Sequence, residues 1–204
     1  DLGVNGMYLD QFGFAADKDC YDASHGHPVP GYCVLGERDC TKRVREAMDA
    51  AMDTAKPGVA LYTEETPPDV TSQYQDGSFT YVMRHSLLQN ARVPLNLFRF
   101  AVPSFKSFQI LICDKPTGTW ATGVKWTFFN GDGIWLEGVA DEWFAPQTRD
   151  AIRKCHAILR EHRDAFTSDN PEPLVPTERP GVYANLFPTP TKQVYTLYNS
   201  RPQT

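Results

Sequence analysis

The stretches Gly6-Met-Tyr-Leu-Asp-Gln11 and Val59-Ala-Leu-Tyr-Thr-Glu-Glu65 decide the fold of this chain. Both are short apolar runs of the kind that forms a strand. The first run closes on Asp10 and the second on Glu64. Because a helix is predicted between them, the two runs form a strand–helix–strand unit with a carboxylate at the C-terminal end of each strand. That arrangement is typical of parallel α/β folds, and of β/α barrels in particular.

The intervening helix is predicted over residues 41–55. Asp39 or Thr41 is the expected N-cap, and Lys56-Pro-Gly58 ends the helix. One face of this helix is apolar at helical spacing, with Val44, Ala47, Met48, Ala51, Met52 and Ala55. The stripe predicts that the helix packs on the sheet formed by the two strands.

Residue parity along the two strands predicts which way the carboxylates point. Side chains alternate between the two faces of a strand. Tyr8 therefore shares a face with Asp10, and Tyr62 shares a face with Glu64. If the aliphatic side chains face the helix layer, both Tyr-x-acid pairs point to the same inner side, which favours Glu64 over Glu65 as the inward acid.

Further strands are predicted at 79–83, 97–102, 108–113, 125–129 and 134–136, followed by a helix at 147–166. The segment 169–180 is rich in proline and is predicted to be a linker. After it, two alternating segments, 181–187 and 192–198, predict an antiparallel hairpin.

The domain organisation follows from these elements. A complete (β/α)8 barrel takes about 250 residues. We therefore expect residues 1–168 to be the C-terminal part of a TIM barrel, and residues 181–204 to be the beginning of a C-terminal β-sandwich domain. Because the chain begins at Asp1 and reaches a strand almost at once, we expect it to be a fragment of a longer protein.

Composition bounds the partners. The chain has 204 residues, 41% hydrophobic residues and a formal net charge of −5. The negative charge argues against a nucleic-acid partner. No apolar run reaches the roughly 18 residues of a membrane span. Localisation stays open, since a missing N-terminus with a signal implies a secreted or periplasmic protein and its absence implies a cytoplasmic one.

Three short motifs carry a resemblance to a known family. Tyr8-Leu-Asp-Gln11, His25-Gly-His-Pro28 and Leu61-Tyr-Thr-Glu64 resemble a group of bacterial predicted glycoside hydrolases described as a domain of unknown function. That group is similar in plan to endo-α-N-acetylgalactosaminidase and α-amylase-like barrels. The resemblance implies a carbohydrate substrate and a retaining mechanism, with Asp10 as nucleophile and Glu64 as acid/base. The tandem Glu64-Glu65 departs from the pattern and leaves the acid/base residue open between the two.

The chemistry agrees with that resemblance. Most glycosidases use two carboxyl groups on either side of the scissile bond, about 5–5.5 Å apart in retaining enzymes and about 6.5–9.5 Å apart in inverting ones. Asp10 and Glu64 are therefore the predicted catalytic pair. A general acid needs a raised pKa, which Tyr62 and a neighbouring carboxylate can supply at Glu64.

A set of polar and aromatic residues is predicted to contact the substrate. His25 and His27 lie in a long Gly/Pro-rich loop, and such loops carry function. Arg99 is a charge inside an apolar run, where it is expected to pair with an acid such as Asp10 or Asp69. The predicted substrate-binding residues are Tyr8, Gln11, His25, His27, Tyr62, Glu65, Asp69 and Arg99.

Two other functions compete with the glycosidase. One is a non-catalytic carbohydrate-binding or scaffold protein on the same fold. The other is a metal-dependent hydrolase that uses His25 and His27 with Cys20, Cys33 and Cys40. The spacing of these residues fits no standard zinc module, so the favoured hypothesis contains no metal. It contains no organic cofactor either, because the chain has no glycine-rich phosphate loop.

Overall fold

The computed structural model describes residues 5–12, 18–51, 58–81, 95–111, 120–136 and 146–201. It divides the chain into two units, 1–79 and 80–204. Each unit contains parallel strands and helices, and the second also contains an antiparallel sheet. The chain is therefore α/β, as predicted from the alternation of strand and helix patterns.

The first unit contains three parallel strands, β1 (Gly6–Leu9), β2 (Ala60–Glu64) and β3 (Gly77–Thr80). Strand β2 lies between the other two, with Leu9 opposite Thr63 and Glu64 opposite Phe79. Helix α1 (Cys33–Ala50) separates β1 from β2 in the chain, and the short helix α2 (Asp69–Ser72) separates β2 from β3. The predicted strand–helix–strand unit is confirmed.

Arg45 connects α1 to the N-terminal end of β2 through hydrogen bonds and an ion pair. Its guanidinium donates to the carbonyl oxygens of Val59 at 3.0 Å and Tyr74 at 3.3 Å, and it also pairs with the carboxylate of Asp76. Asp76 in turn accepts a hydrogen bond from the backbone N–H of Leu61 at 2.8 Å. One long side chain therefore links the helix to the strand that carries Glu64.

The second unit contains a β–α–β segment made of β4 (Lys106–Leu111), α4 (Trp120–Asn130) and β5 (Gly133–Leu136). The two strands pair in parallel, with Phe108 opposite Gly133. A Cβ atom at Gly133 would lie 2.4 Å from the Phe108 ring, so only glycine leaves room for that ring. Helix α3 (Leu97–Ala101) precedes this segment, and α5 (Pro146–Glu161) and α6 (Arg163–Phe166) follow it.

The antiparallel sheet consists of β6 (Glu172–Val175), β7 (Val182–Pro188) and β8 (Gln193–Asn199). The hairpin register runs from Val182 opposite Asn199 to Pro188 opposite Gln193, which confirms the predicted hairpin. The centre of β7 is buried, and Phe187 packs on Phe166 with ring centroids 4.8 Å apart.

Several predicted elements differ from the structure in type or in bounds. Residues 97–101 and 120–130 are helical, although strands were predicted at 97–102 and 125–129. Short apolar runs fit a buried helix as well as a buried strand, so tertiary packing decides between them. Helix α1 begins at Cys33 rather than Thr41, and its first two turns contain Gly36 and three charged residues that do not extend the apolar stripe.

The segment predicted to be a linker, 169–180, contains strand β6, which pairs with β7. The prolines of this segment argued against a strand, because proline lacks the N–H group that a central strand needs. Proline is tolerated in an edge strand. The domain boundaries predicted at 168 and 181 stay a prediction. None of the helices in the described part of the chain combines the length and apolar composition of a membrane span.

Candidate functional site

Asp10 and Glu64 follow neighbouring positions of two paired parallel strands. Leu9 lies opposite Thr63 in the register. The next residues, Asp10 and Glu64, therefore follow this pair at the C-terminal ends of the two strands. The backbone N–H of Gln11 donates to Oε2 of Glu64 at 2.9 Å, which ties the two strand ends together. The structure therefore brings the two predicted catalytic carboxylates to one edge.

Both acids share a face of the sheet with three aromatic side chains. The Tyr8 ring meets the Phe79 ring edge-on at 5.1 Å, and the Tyr62 ring stacks on Phe79 at 5.5 Å. Tyr8, Tyr62 and Phe79 alternate in phase with Asp10 and Glu64, so we call these three rings the aromatic floor. The opposite face holds Leu61 and Thr63, both fully buried, which agrees with the predicted parity of β2.

The carboxylate of Asp10 accepts a hydrogen bond from one residue of the aromatic floor. The Tyr8 hydroxyl donates to Oδ1 of Asp10 at 3.0 Å, and the Asp10 side chain is solvent-exposed. Desolvation, with a smaller contribution from Asp76, raises the pKa of Tyr62, so this phenol keeps its proton. The C-terminal ends of the strands thus combine an exposed and a half-buried carboxylate with tyrosine hydroxyl groups and apolar ring faces, which suits a polyhydroxylated ligand.

Glu64 and Glu65 differ in backbone conformation. Glu65 has a φ of 60° and its N–H donates to the Phe79 carbonyl oxygen at 2.7 Å, so the chain turns at this residue. Gln11 has a φ of 49° and turns in the same way after β1. Glu64 is the last residue of β2 and lies on the same face of the strand as Tyr62, whereas Glu65 begins the loop.

Asp69 lies at the start of the short helix α2. Its Oδ1 accepts a hydrogen bond from the backbone N–H of Val70 at 2.9 Å, and its carbonyl oxygen accepts one from the Ser72 hydroxyl at 2.9 Å. The side chain is exposed. These local contacts stabilise the first turn of α2, and the predicted substrate contact of Asp69 stays a prediction.

His25 and His27 lie close to Cys20 in the loop that precedes α1. The Cys20 sulfur is 3.3 Å from Nδ1 of His25, and one donor atom from each of the three residues lies within 4.8 Å of the others. These residues could hold a metal ion. Sequence spacing alone did not favour this cluster, because Cys-x4-His-x-His lacks the usual Cys-x2-Cys pair. The predicted sugar contacts of both histidines stay a prediction.

A cavity of about 660 Å³ lies between this loop and the start of α1. Phe12, two residues beyond Asp10, lines it together with Cys20, His27 and Arg38. Cys20 and His27 thus face a concave surface that extends to Phe12, near the predicted nucleophile Asp10.

Arg99 belongs to the interior of the second unit. Its side chain is 1% exposed, its Nη2 donates to the carbonyl oxygen of Phe166 at 2.6 Å, and it lies over the Phe187 ring at 5.5 Å. Its Nε is 3.8 Å from Oδ1 of Asp132. The structure therefore pairs Arg99 with Asp132, where the sequence suggested Asp10 or Asp69.

Asp132 is buried and hydrogen-bonded. Its Oδ2 accepts from the side-chain amides of Asn96 at 3.0 Å and Gln109 at 3.1 Å. Burial raises the pKa of Asp132 to about 6, although Arg99 and both amides pull it down. Burial likewise lowers the pKa of Arg99, with Asp132 opposing the shift.

A second cavity, of about 610 Å³, lies beside Arg99 and was not predicted from the sequence. Its basic lining residues are Arg99, Lys106, Arg160 and Arg163, together with His156, whose pKa is lowered by burial and by Arg160. Burial, with a smaller contribution from Arg99, lowers the pKa of Lys106 to about 8. The spacing of 156, 160 and 163 along the last helices was the available signal, since it places three basic side chains on one face.

The chain matches no protein-family model, no curated protein and no solved structure at a level that would identify a family.

Proposed function

We propose that this chain is the catalytic part of a glycoside hydrolase in which Asp10 and Glu64 carry the chemistry. The observation that supports it best is the register of β1 and β2, in which Asp10 and Glu64 directly follow the paired residues Leu9 and Thr63 at the C-terminal ends of the strands, on the side of the aromatic floor. Active sites of β/α barrels lie at the C-terminal ends of the strands. Carbohydrate sites combine apolar faces with a few polar groups that fix orientation.

The proposed fold is the C-terminal part of a (β/α)8 barrel followed by the start of a β-sandwich. The parallel strand pairs connected by helices and the later antiparallel sheet support this assignment. The fold by itself does not imply the chemistry, so the function depends on the carboxylates.

In the proposed retaining mechanism, Asp10 attacks the anomeric carbon and forms a glycosyl ester. Glu64 gives a proton to the leaving oxygen, and then takes one from the water that hydrolyses the ester. The Tyr8 hydroxyl orients the nucleophile through its hydrogen bond to Oδ1. Because Gln11 N–H engages Oε2 of Glu64, we assign the transferred proton to Oε1.

Glu64 is the proposed acid/base in preference to Glu65. Its position as the last strand residue supports this choice, whereas the positive φ of Glu65 places that residue in the turn. Arg99 is left out of the proposed site, because its buried contacts give it a structural role in the second unit.

The test uses the protein as its gene encodes it, a panel of aryl and natural glycosides, and three variants. We expect Asp10→Asn to abolish turnover, because an amide cannot form the glycosyl ester. We expect Glu64→Gln to slow glycosides with poor leaving groups by about 10²–10⁴-fold and to spare activated aryl glycosides. Azide should partly rescue Glu64→Ala, since it attacks the intermediate without a base. Nuclear magnetic resonance of the first product gives the anomer, expected to be retained.

Glu65→Gln is the matched control and should keep activity near that of the wild type. If Glu65→Gln instead reproduces the Glu64 effects while Glu64→Gln is silent, the acid/base is Glu65. Activity of Asp10→Asn within a few-fold of the wild type would rule out this site as the catalytic centre.

A further inference from the structure

We propose that Cys20, His25 and His27 bind a zinc ion. Their donor atoms lie within 4.8 Å of one another, and the sulfur of Cys20 is 3.3 Å from Nδ1 of His25. A tetrahedral zinc with bonds of about 2.3 Å to sulfur and about 2.0–2.1 Å to nitrogen sets such atoms about 3.5 Å apart. The three residues therefore fit around one ion with small side-chain adjustments.

The other ring nitrogen of each histidine already has a partner. Nε2 of His25 is 3.5 Å from Oδ2 of Asp22, whose Oδ1 accepts a hydrogen bond from the Ser24 N–H at 2.8 Å. Nδ1 of His27 is 2.8 Å from the Pro28 carbonyl oxygen and donates to it. Carboxylate and carbonyl partners of this kind orient zinc-bound imidazoles. They leave Nδ1 of His25 and Nε2 of His27 as the donor atoms toward the metal.

The backbone holds the loop in the shape that the site requires. Cys20 and Gly31 form an isolated antiparallel bridge, with N–H···O distances of 2.9 and 2.7 Å. A Cβ atom at Gly31 would lie 2.7 Å from the His27 ring, so glycine permits the ring to lie against the bridge. Asp19 accepts a hydrogen bond from the Cys33 N–H at 3.2 Å, which ties the loop to the first turn of α1.

The donor set selects the metal class. One thiolate and two imidazoles suit zinc, whereas magnesium and calcium take oxygen ligands. Three protein ligands leave a fourth position for water, and His25 is exposed to solvent, so an ion can enter from that side. The proposal concerns this binding site and does not depend on the glycosidase assignment.

The experiment is a zinc titration of the full chain under reducing conditions, after removal of bound metal with a chelator. We expect one zinc per chain by elemental analysis, and a thiolate-to-metal charge-transfer band when cobalt replaces zinc. Cys20→Ser and His27→Gln should each weaken zinc binding more than about 100-fold, because each removes a ligand of the ion. Asp22→Asn should weaken it about 10–100-fold.

Cys40→Ser and His162→Gln are the matched controls, since Cys40 lies within α1 and His162 lies between α5 and α6, both outside the loop, and each variant should bind zinc like the wild type. Circular dichroism in the presence of chelator checks that every variant is folded. The proposal is wrong if folded wild-type protein takes up less than half an equivalent of zinc. It is also wrong if cobalt gives no charge-transfer band, or if Cys40→Ser lowers affinity as much as Cys20→Ser.

Discussion

Acidic residues have opposite surroundings in the two units. In the first, Asp10 is exposed at a strand end and accepts a hydrogen bond from one tyrosine. In the second, Asp132 is 1% exposed and accepts from two amides beside a buried arginine. A carboxylate with access to solvent is available for chemistry, whereas a buried one is held by its neighbours for structure. Residue type alone therefore did not separate a candidate catalytic group from a structural one.

The apolar interior is distributed just as unevenly. Apart from Leu61, the buried aliphatic and aromatic side chains of the described residues lie in the second unit, among them Phe129, Phe166 and Phe187. The first unit buries small polar side chains such as Thr63, Thr71 and Ser78 at the same depth. We therefore expect substitutions in the second unit to act on stability, and substitutions at the strand-end carboxylates to act on activity.

The largest stability effect should come from the buried ion pair. Arg99→Ala or Asp132→Ala removes one partner and leaves the other charge uncompensated, which costs about 3–5 kcal/mol of unfolding free energy. Urea unfolding measures it. Arg153→Ala is the control, because Arg153 is 78% exposed and pairs with Asp150 at the surface. It should cost less than about 1 kcal/mol. Equal effects of Arg99→Ala and Arg153→Ala would contradict the comparison.

The pH dependence of stability should show the titration of Asp132. Its pKa is 3.8 when unperturbed and about 6 in the folded protein, so the folded state holds the proton more tightly. This group therefore contributes its stability fully below pH 3.8 and loses it as pH rises to about 6. The loss is about 3 kcal/mol at about 1.4 kcal/mol per pKa unit. Urea unfolding between pH 4 and 7 should show it in the wild type but not in Asp132→Asn, and parallel curves would contradict it.

A smaller effect is expected from Asn185 in β7. Its amide donates to the Phe129 carbonyl oxygen at 2.9 Å, and its Oδ1 accepts from the Leu174 N–H at 3.0 Å. Asn185→Ala leaves both backbone groups without this partner and should cost about 1–3 kcal/mol. Asn199→Ala is the control, since Asn199 is exposed and makes a turn contact with Arg201. A loss for Asn199→Ala as large as that for Asn185→Ala would show that burial of the amide is not the cause.

The smallest stability effect is expected at Asp10. Asp10→Asn replaces an exposed group and should change the unfolding free energy by less than about 0.5 kcal/mol. Thermal and urea unfolding of this variant should therefore match the wild type, whereas the proposed function predicts that its turnover is abolished. A destabilisation of 2 kcal/mol or more, on the order of losing a buried polar contact, would mean that Asp10 is a structural residue like Asp132.

Local patterns predicted much of the first unit. Short apolar runs that close on an acid predicted β1 and β2, and the apolar stripe predicted the C-terminal part of α1. The hairpin of β7 and β8 followed from alternation around a Pro-Thr-Pro turn. These elements were predictable because side-chain phase along a strand or helix is a local property of the chain.

The segments at 97–101 and 120–130 show where local patterns fail. Both are apolar runs with no clear period, and both form helices inside the second unit. Strand β6 was not predicted because of its prolines. Proline is tolerated there since β6 is an edge strand, and its position in the sheet is a feature of the tertiary structure.

Local sequence patterns were enough to predict the strand–helix–strand unit and the antiparallel hairpin. The alternation of side chains along the strands also predicted that Asp10 and Glu64 lie on one face. Only the folded chain shows that Arg99 pairs with Asp132, and that the donor atoms of Cys20, His25 and His27 lie close together. The physical reason is that backbone periodicity fixes the direction of a side chain within its own element. The partner that side chain meets depends on how distant parts of the chain pack together, and on which groups that packing removes from water.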